Sequence, residues 1–253
     1  MAGGARDSRG VAARLFAILG AFDGAARRTL PLTEIARRAE LPLSTASRLV
    51  SSLVELGGLE RTADGELQIG LKLWRLGTRH PAPGALRQIA RPYLDDLFEL
   101  TRQNVQIAVL DGMTALYLDR LTARDSVVVL ADVGRRLPLH ATGVGLVLLA
   151  WAEPELLAQV LAAPPRKLLA ATMTTAAELE PRLARIRREG IATTRDEMTA
   201  GAASVAAPVR DGSGTVVAAL SIIVPSDRPI EPRYELAVRL AANGVSRELS
   251  RLA

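Results

Sequence analysis

The side chains best placed by type and spacing to do chemistry fall in one short stretch. Ser44, Thr45, Ser47 and Arg48 are polar positions on the outward side of an apolar helical pattern. Short hydroxyls near a helix N-terminus can contact phosphates or base edges, and an arginine there can bond guanine in bidentate fashion. Arg37, Arg38 and Arg61 stand where they can add phosphate contacts. Ser44 also reads as the N-cap of the helix it opens. Catalytic chemistry has thinner material. The chain has no cysteine and only two histidines, His80 and His140. Disulfides, cysteine-ligated metals, thiol catalysis and a multi-histidine metal site are therefore excluded. No Ser/His/Asp set, Gly-rich phosphate loop or carboxylate pair has convincing spacing. Gly212-Ser213-Gly214 joins two strand patterns, so it is a hairpin and not a nucleophile elbow. No catalytic residue, metal or cofactor is expected, and His140 reads as a hydrogen-bonded structural histidine.

The elements that must position those polar residues are legible in the apolar spacing. Val11, Leu15, Ile18, Leu19 and Phe22 fall on one helical face, with Asp7 or Ser8 available as a cap. A second short helix fits 32–39, and Pro42 sits in the turn that follows. A third helix fits 44–56, with Ala46, Leu49, Val50, Leu53 and Leu56 inward. Segments 59–62 and 66–69 flank Asp64-Gly65, a strong hairpin signal. The order helix, helix, turn, helix, hairpin is that of a winged helix-turn-helix, and a further short helix fits 71–77.

Pro81, Pro83 and Gly84 mark the best domain boundary in the chain. The expected organisation is a winged helix-turn-helix over 1–77, a linker and linker helix over 78–102, and an α+β domain over 103–253. The linker helix carries an apolar stripe (Ile89, Tyr93, Leu97) with Pro92 inside it, and part of this stripe is expected to pair between subunits. Beyond it, strands are expected at 105–110 and 115–119 around Asp111-Gly112, and at 127–131, 191–194, 204–209 and 216–224. Helices are expected at 144–152, 154–162, 176–189 and 231–252. Such an order gives a mixed or antiparallel sheet flanked by helices.

Composition sets outer bounds. The 253 residues are 49% hydrophobic and 23% charged, which supplies a core and excludes a disordered chain. All but Lys72 and Lys167 of the 32 basic residues are arginines. Twelve basic and eight acidic side chains stand at or before His80, against 20 and 19 beyond it. The basic excess thus lies in the first third, where a polyanion would be met. The most apolar run, 144–152, is about half of the ~20 residues needed to span a bilayer, so it reads as a buried helix. No targeting segment is recognisable. A cytoplasmic protein without a membrane partner is expected.

Four stretches resemble the IclR family of bacterial transcription regulators. Residues 32–49 (LTEIARRAELPLSTASRL) resemble its DNA-binding half, and 65–73 (GELQIGLKL) its wing exit. Residues 137–145 (LPLHATGVG) resemble the segment opening its effector-domain helix, and 204–209 (SVAAPV) with 216–222 (VVAALSI) its paired C-terminal strands. The resemblance implies a GAF-like effector-binding domain, a homodimer or tetramer, and binding to double-stranded operator DNA that a small organic effector tunes, with repression the expected outcome. It places the effector on backbone groups of Thr142, Gly143, Val144 and Gly145. Thr194 stands where relatives often carry an aspartate, with Asp196 nearby. Ser204 and Ser221 match polar positions of the family's pocket, whereas Ile223 replaces a second serine. With fewer polar groups than the family pattern, the expected effector has one polar end, such as a carboxylate, and an apolar body. An enzyme or an effector-less interaction protein carrying a helix-turn-helix remains the alternative.

Overall fold

The computed structural model describes residues 10–23, 25, 27–77, 81–123, 126–127, 132–162 and 165–252, with the backbone alone for 81–83. It divides into two units, Met1–Gly84 and Ala85–Ala253.

The first unit runs α1 (Val11–Gly20), α2 (Leu32–Arg38), α3 (Leu43–Glu55), β1 (Leu59–Arg61), β2 (Leu67–Ile69) and α4 (Leu71–Gly77). Ile18 of α1, Ile35 of α2, and Ala46, Leu49, Val50 and Leu53 of α3 meet in one core, closed by Leu59 and Leu67 of the hairpin. The register pairs Leu59 with Ile69 and Arg61 with Leu67. Leu30 adds a bridge to Leu67 through two 2.9 Å backbone bonds, which ties the wing to the chain ahead of α2. One expectation fails at the start of α3. The capping position belongs to Pro42, whose backbone is extended, and no side chain caps the helix. Ser44 is the second residue inside it. Pro42 has already turned the chain into the helix, so Ser44 projects to solvent instead. The proposed caps Asp7 and Ser8, like His80, lie outside the described residues; Gly10 stands at the N-cap of α1 without a side-chain bond.

The second unit runs α5 (Pro81–Thr101, entering from the first), β3 (Asn104–Asp111), β4 (Thr114–Leu121), β5 (Arg136–Pro138), a 3-10 turn (Leu139–Ala141), α6 (Gly143–Ala150), α7 (Pro154–Ala162), α8 (Ala176–Glu189), β6 (Ala192–Arg195), β7 (Ala202–Arg210), β8 (Val216–Pro225) and α9 (Pro232–Arg251). The six strands lie in the order β5-β4-β3-β8-β7-β6, and each neighbouring pair is antiparallel. The expected α+β class holds, and the sheet is antiparallel rather than mixed. Both faces are covered. Leu86, Ala90, Leu94 and Leu97 of α5 and Ala237, Val238, Ala242 and Val245 of α9 pack on Val105, Ile107, Val205, Leu220 and Ile222. Helices α6 and α8 cover the other face, against Ala108, Tyr117, Ala192, Ala206 and Ala219. Every residue of α6 is buried, as its unbroken apolar sequence demands.

Within one chain, Leu97 of the α5 stripe is buried, and Ile89 and Tyr93 are partly buried against the same core. Strand β5 was not anticipated, because its three residues end in proline and it sits at the sheet edge. The strand expected at 127–131 lies outside the described residues except for Val127, whose carbonyl accepts from Asn104 Nδ2 at 2.8 Å.

Leu94 is fully enclosed between α5 and the sheet. Leu94→Ala should destabilise the second unit by about 2–5 kcal/mol, the range for an emptied core leucine site. Urea unfolding followed through Trp151 in a Trp74→Phe background checks this, since each unit holds one tryptophan.

Candidate functional site

The exposed face of α3 carries the sequence-predicted polar set. Ser44 and Arg48 are exposed, and Thr45 and Ser47 are half-buried, while the opposite side of the helix is sealed in the core. Among the described residues no hydrogen bond or ion pair engages the Arg48 guanidinium. The other predicted arginines differ in this respect. Arg37 and Arg38 both bond Glu34, at 2.6 and 2.7 Å, and Arg38 also reaches the Ala21 carbonyl at 3.2 Å. Hydrogen bonds from Arg37 first, then Arg38, push the Glu34 carboxyl down to about 2. These two arginines therefore brace α2 as well as facing solvent. Arg61 bonds Gly65 O across the wing turn at 3.4 Å.

The second candidate lies in the other unit, where α6 begins. Thr142 caps α6: its hydroxyl accepts from Gly145 N at 3.1 Å and donates to Pro138 O at 3.1 Å. The amide of Leu146 is bonded to Thr142 O. Among the described residues, the amides of Gly143 and Val144 are left without a hydrogen-bond partner. Gly145, expected to contribute its amide to a ligand, instead gives it to Thr142.

A pocket opens beside this helix start. Its cavity of about 40 Å³ is lined by Thr142 and Gly143, by Thr194, Ser204 and Ile223, and by groups the sequence reading did not single out: Gln106, Tyr117, Leu137, Glu197, Met198 and Thr199. One row of the sheet runs Thr194, Ser204, Ile223, Asn104 across β6, β7, β8 and β3. Thr194 and Ser204 share a 2.5 Å hydroxyl bond. The next row on the same face places Ser221 opposite Gln106. Ser221 is fully buried beneath the pocket and is not part of its lining.

Asp196 is not brought into the pocket. It holds a turn: its backbone is left-handed (φ 52°), and its carboxylate accepts from Gly201 N at 2.7 Å and Ser226 Oγ at 2.8 Å. The acid that does line the pocket is the next residue. Glu197 is 6% exposed and accepts two 2.8 Å bonds from Arg182 of α8. Burial pushes the Tyr117 phenol up, partly offset by a hydrogen bond with Thr142. His140 is buried, with Nε2 donating to Arg166 O at 3.0 Å. Burial lowers its pKa, against smaller opposing effects of that bond and of Glu197. The described residues hold no group of His, Asp and Glu that could ligate a metal, and none of their helices is long and apolar enough to cross a membrane.

A winged helix-turn-helix with an uncommitted arginine on its outer helix, followed by an α+β unit with a pocket at a helix N-terminus, defines a two-unit regulator. The family model described as "IclR helix-turn-helix domain" matches residues 11–63, and "Bacterial transcriptional regulator IclR C-terminal" matches 84–250. The chain belongs to the IclR family of bacterial transcriptional regulators. It is 32% identical over 253 residues to the transcriptional regulator BhcR of Paracoccus denitrificans, covering 98% of this chain and 89% of that one. It is 30% identical over 205 residues to the transcriptional repressor AllR of Escherichia coli, covering 80% and 76%. Among solved structures, an IclR homologue of Microbacterium hydrocarbonoxydans in complex with 4-hydroxybenzoate superposes with a TM-score of 0.89 at 36% identity, covering 96% of this chain and all of that one.

The buried His140 yields a pH prediction. Its folded pKa lies below the unfolded value near 6.5, so the unfolded chain binds the extra proton first. His140 therefore contributes no penalty above about pH 6.5, and stability falls as the pH drops below it. The unfolding midpoint should decline from pH 7 to pH 5, and His140→Gln should flatten that decline. Denaturant melts at several pH values measure it.

Proposed function

We propose that this protein represses transcription by binding operator DNA through α3 and the wing, and that a small organic acid in the pocket of the second unit changes that binding. In this reading residues 1–77 contact DNA, 103–253 bind the effector, and 78–102 join them. The protein acts in the cytoplasm as a homodimer or tetramer, and a two-fold assembly implies an operator with inverted half-sites. It performs no catalysis.

One observation supports the effector reading above others. The α6 start has two backbone amides without partners among the described residues, that of Gly143, which lines the pocket, and that of the next residue, Val144, and the pocket also has apolar walls. Free amides at a helix N-terminus hold a carboxylate without any lysine. Leu137, Met198 and Ile223 supply apolar surface for the rest of the ligand. The similar protein in complex with 4-hydroxybenzoate gives the same class: an acid with an apolar body. A cavity of about 40 Å³ holds about one to three waters. Entry of a ring therefore widens the pocket. Met198 and Thr199, in the turn between β6 and β7 and only half-buried, are the wall with the least support.

The test has two arms. Footprinting and titration at several salt concentrations should show a protected inverted repeat. Arg48→Ala should weaken it by about 1–3 kcal/mol, the scale of a lost base contact. Arg37→Ala should weaken it less, because Arg37 is paired with Glu34. Benzoate-class acids should shift the DNA affinity. Absence of specific DNA binding, or DNA binding unmoved by any acid, would overturn the respective half of the reading.

A further inference from the structure

The polar groups around the pocket divide sharply by whether they are satisfied. Thr194 is bonded to Ser204, Glu197 to Arg182, and Thr142 to Pro138 O and Gly145 N. Arg120, opposite Gln106 on β4, is ion-paired to Asp132 through Nη1 while its Nε makes no hydrogen bond among the described residues, and it does not line the pocket. At the pocket itself two places keep unmet hydrogen-bonding capacity. One is the pair of amides at Gly143 and Val144. The other is the β3–β8 pair Gln106 and Ser221, whose side-chain Oε1 and Oγ are buried without partners. Gln106 is 3% exposed and lines the pocket. Native proteins rarely leave buried polar atoms unpaired unless an ordered water or a ligand completes them.

The strand order sets the separation of the two places. A Cβ at Gly143 would lie 2.4 Å from Ser204 Oγ and 3.2 Å from Ala206 Cβ, so α6 begins directly over β7. Gln106 is on β3, and β8 lies between the two strands. Two strand spacings separate them, roughly 10 Å between backbones.

Resting on the effector reading above, the geometry points to Gln106, backed by Ser221, as the specificity residue for the far end of the effector. The ligand is a carboxylic acid that carries a hydrogen-bond donor, such as a hydroxyl, at the opposite end of its apolar body. Its carboxylate takes the α6 amides, and its donor takes Gln106 Oε1. A two- or three-carbon acid is too short to reach both, and an acid without the donor leaves Gln106 unpaired.

Calorimetry on the full-length protein with 4-hydroxybenzoate, 4-aminobenzoate and benzoate as probes tests this. Wild type should favour the two donor-bearing acids over benzoate by about tenfold or more. In Gln106→Leu that ratio should fall to about one. The unliganded Gln106→Leu variant should melt at or above the wild-type temperature, because an unpaired buried amide has been removed. Gln106→Met, which also lacks the amide, repeats the measurement should Gln106→Leu fail to fold. Binding with discrimination undiminished in these variants overturns this inference alone, as does clear loss of stability in both unliganded variants. Failure of every acid to bind wild type removes the effector reading and this inference with it.

Discussion

Helix α6 begins directly over β7, and the closeness of that approach fixes the second unit. There is no room for a side chain at position 143: an added Cβ would collide with Ser204 Oγ. At position 145 it would stand 2.5 Å from both the Leu139 carbonyl and the Thr142 hydroxyl. Two glycines thus let the helix start press on the strand and on the preceding turn, which locks the Thr142 cap in place. From that fixed start α6 runs fully buried, with α8 packed beside it. A helix seated half a side chain higher would lift its free amides away from the pocket and open the core beneath it. The pocket therefore follows from packing, before any ligand is considered.

Burial at this site has a polar side that the fold resolves unevenly. The Glu197 carboxylate and Arg182 guanidinium are both mostly withdrawn from water, and removal of either partner would strand a buried charge. Their two-pronged bond links α8 to the segment after β6, with Thr172 Oγ1 adding a 2.6 Å bond to the Glu197 carbonyl. That wall is rigid because its groups satisfy one another. The floor is different, since Gln106 and Ser221 are enclosed without such partners. An apolar pair would suit the isolated fold better there. In the proposed reading, stability and ligand recognition pull in opposite directions at these two adjacent side chains.

What the sequence disclosed and what it hid follow from the range of the interactions involved. The wing was legible because Asp64-Gly65 is a local turn signal, and the expected helix at 176–189 has local ends, a Thr175–Glu178 capping box and a left-handed Gly190. Thr142, Gly143, Thr194 and Ser204 were placed by resemblance, and they line one pocket. Errors came where a neighbour decided. Pro42 displaced Ser44 from the cap. Asp196, in a left-handed turn, bonds backbone and Ser226, while Glu197 turns inward to an arginine on another helix. Gln106 was invisible for a related reason. In Val105-Gln106-Ile107 the alternation reads as a polar residue facing water, and only a sheet covered on both faces turns that position inward.

The same alternation connects the pocket to the helix that leads into this unit. Along β3, Gln106 faces the pocket while Val105 and Ile107 face α5 and α9; along β8, Ser221 and Ile223 alternate with Leu220 and Ile222 in the same way. Leu86, Ala90, Leu94 and Leu97 anchor α5 on the far side of those strands. Side chains of successive residues are about 3.3 Å apart along a strand and point oppositely, so neither face can be repacked without moving the backbone they share. A ligand that bridged β7 to β3, as proposed above, would act on the spacing of β7, β8 and β3. Helix α5 rests on the reverse face of those strands.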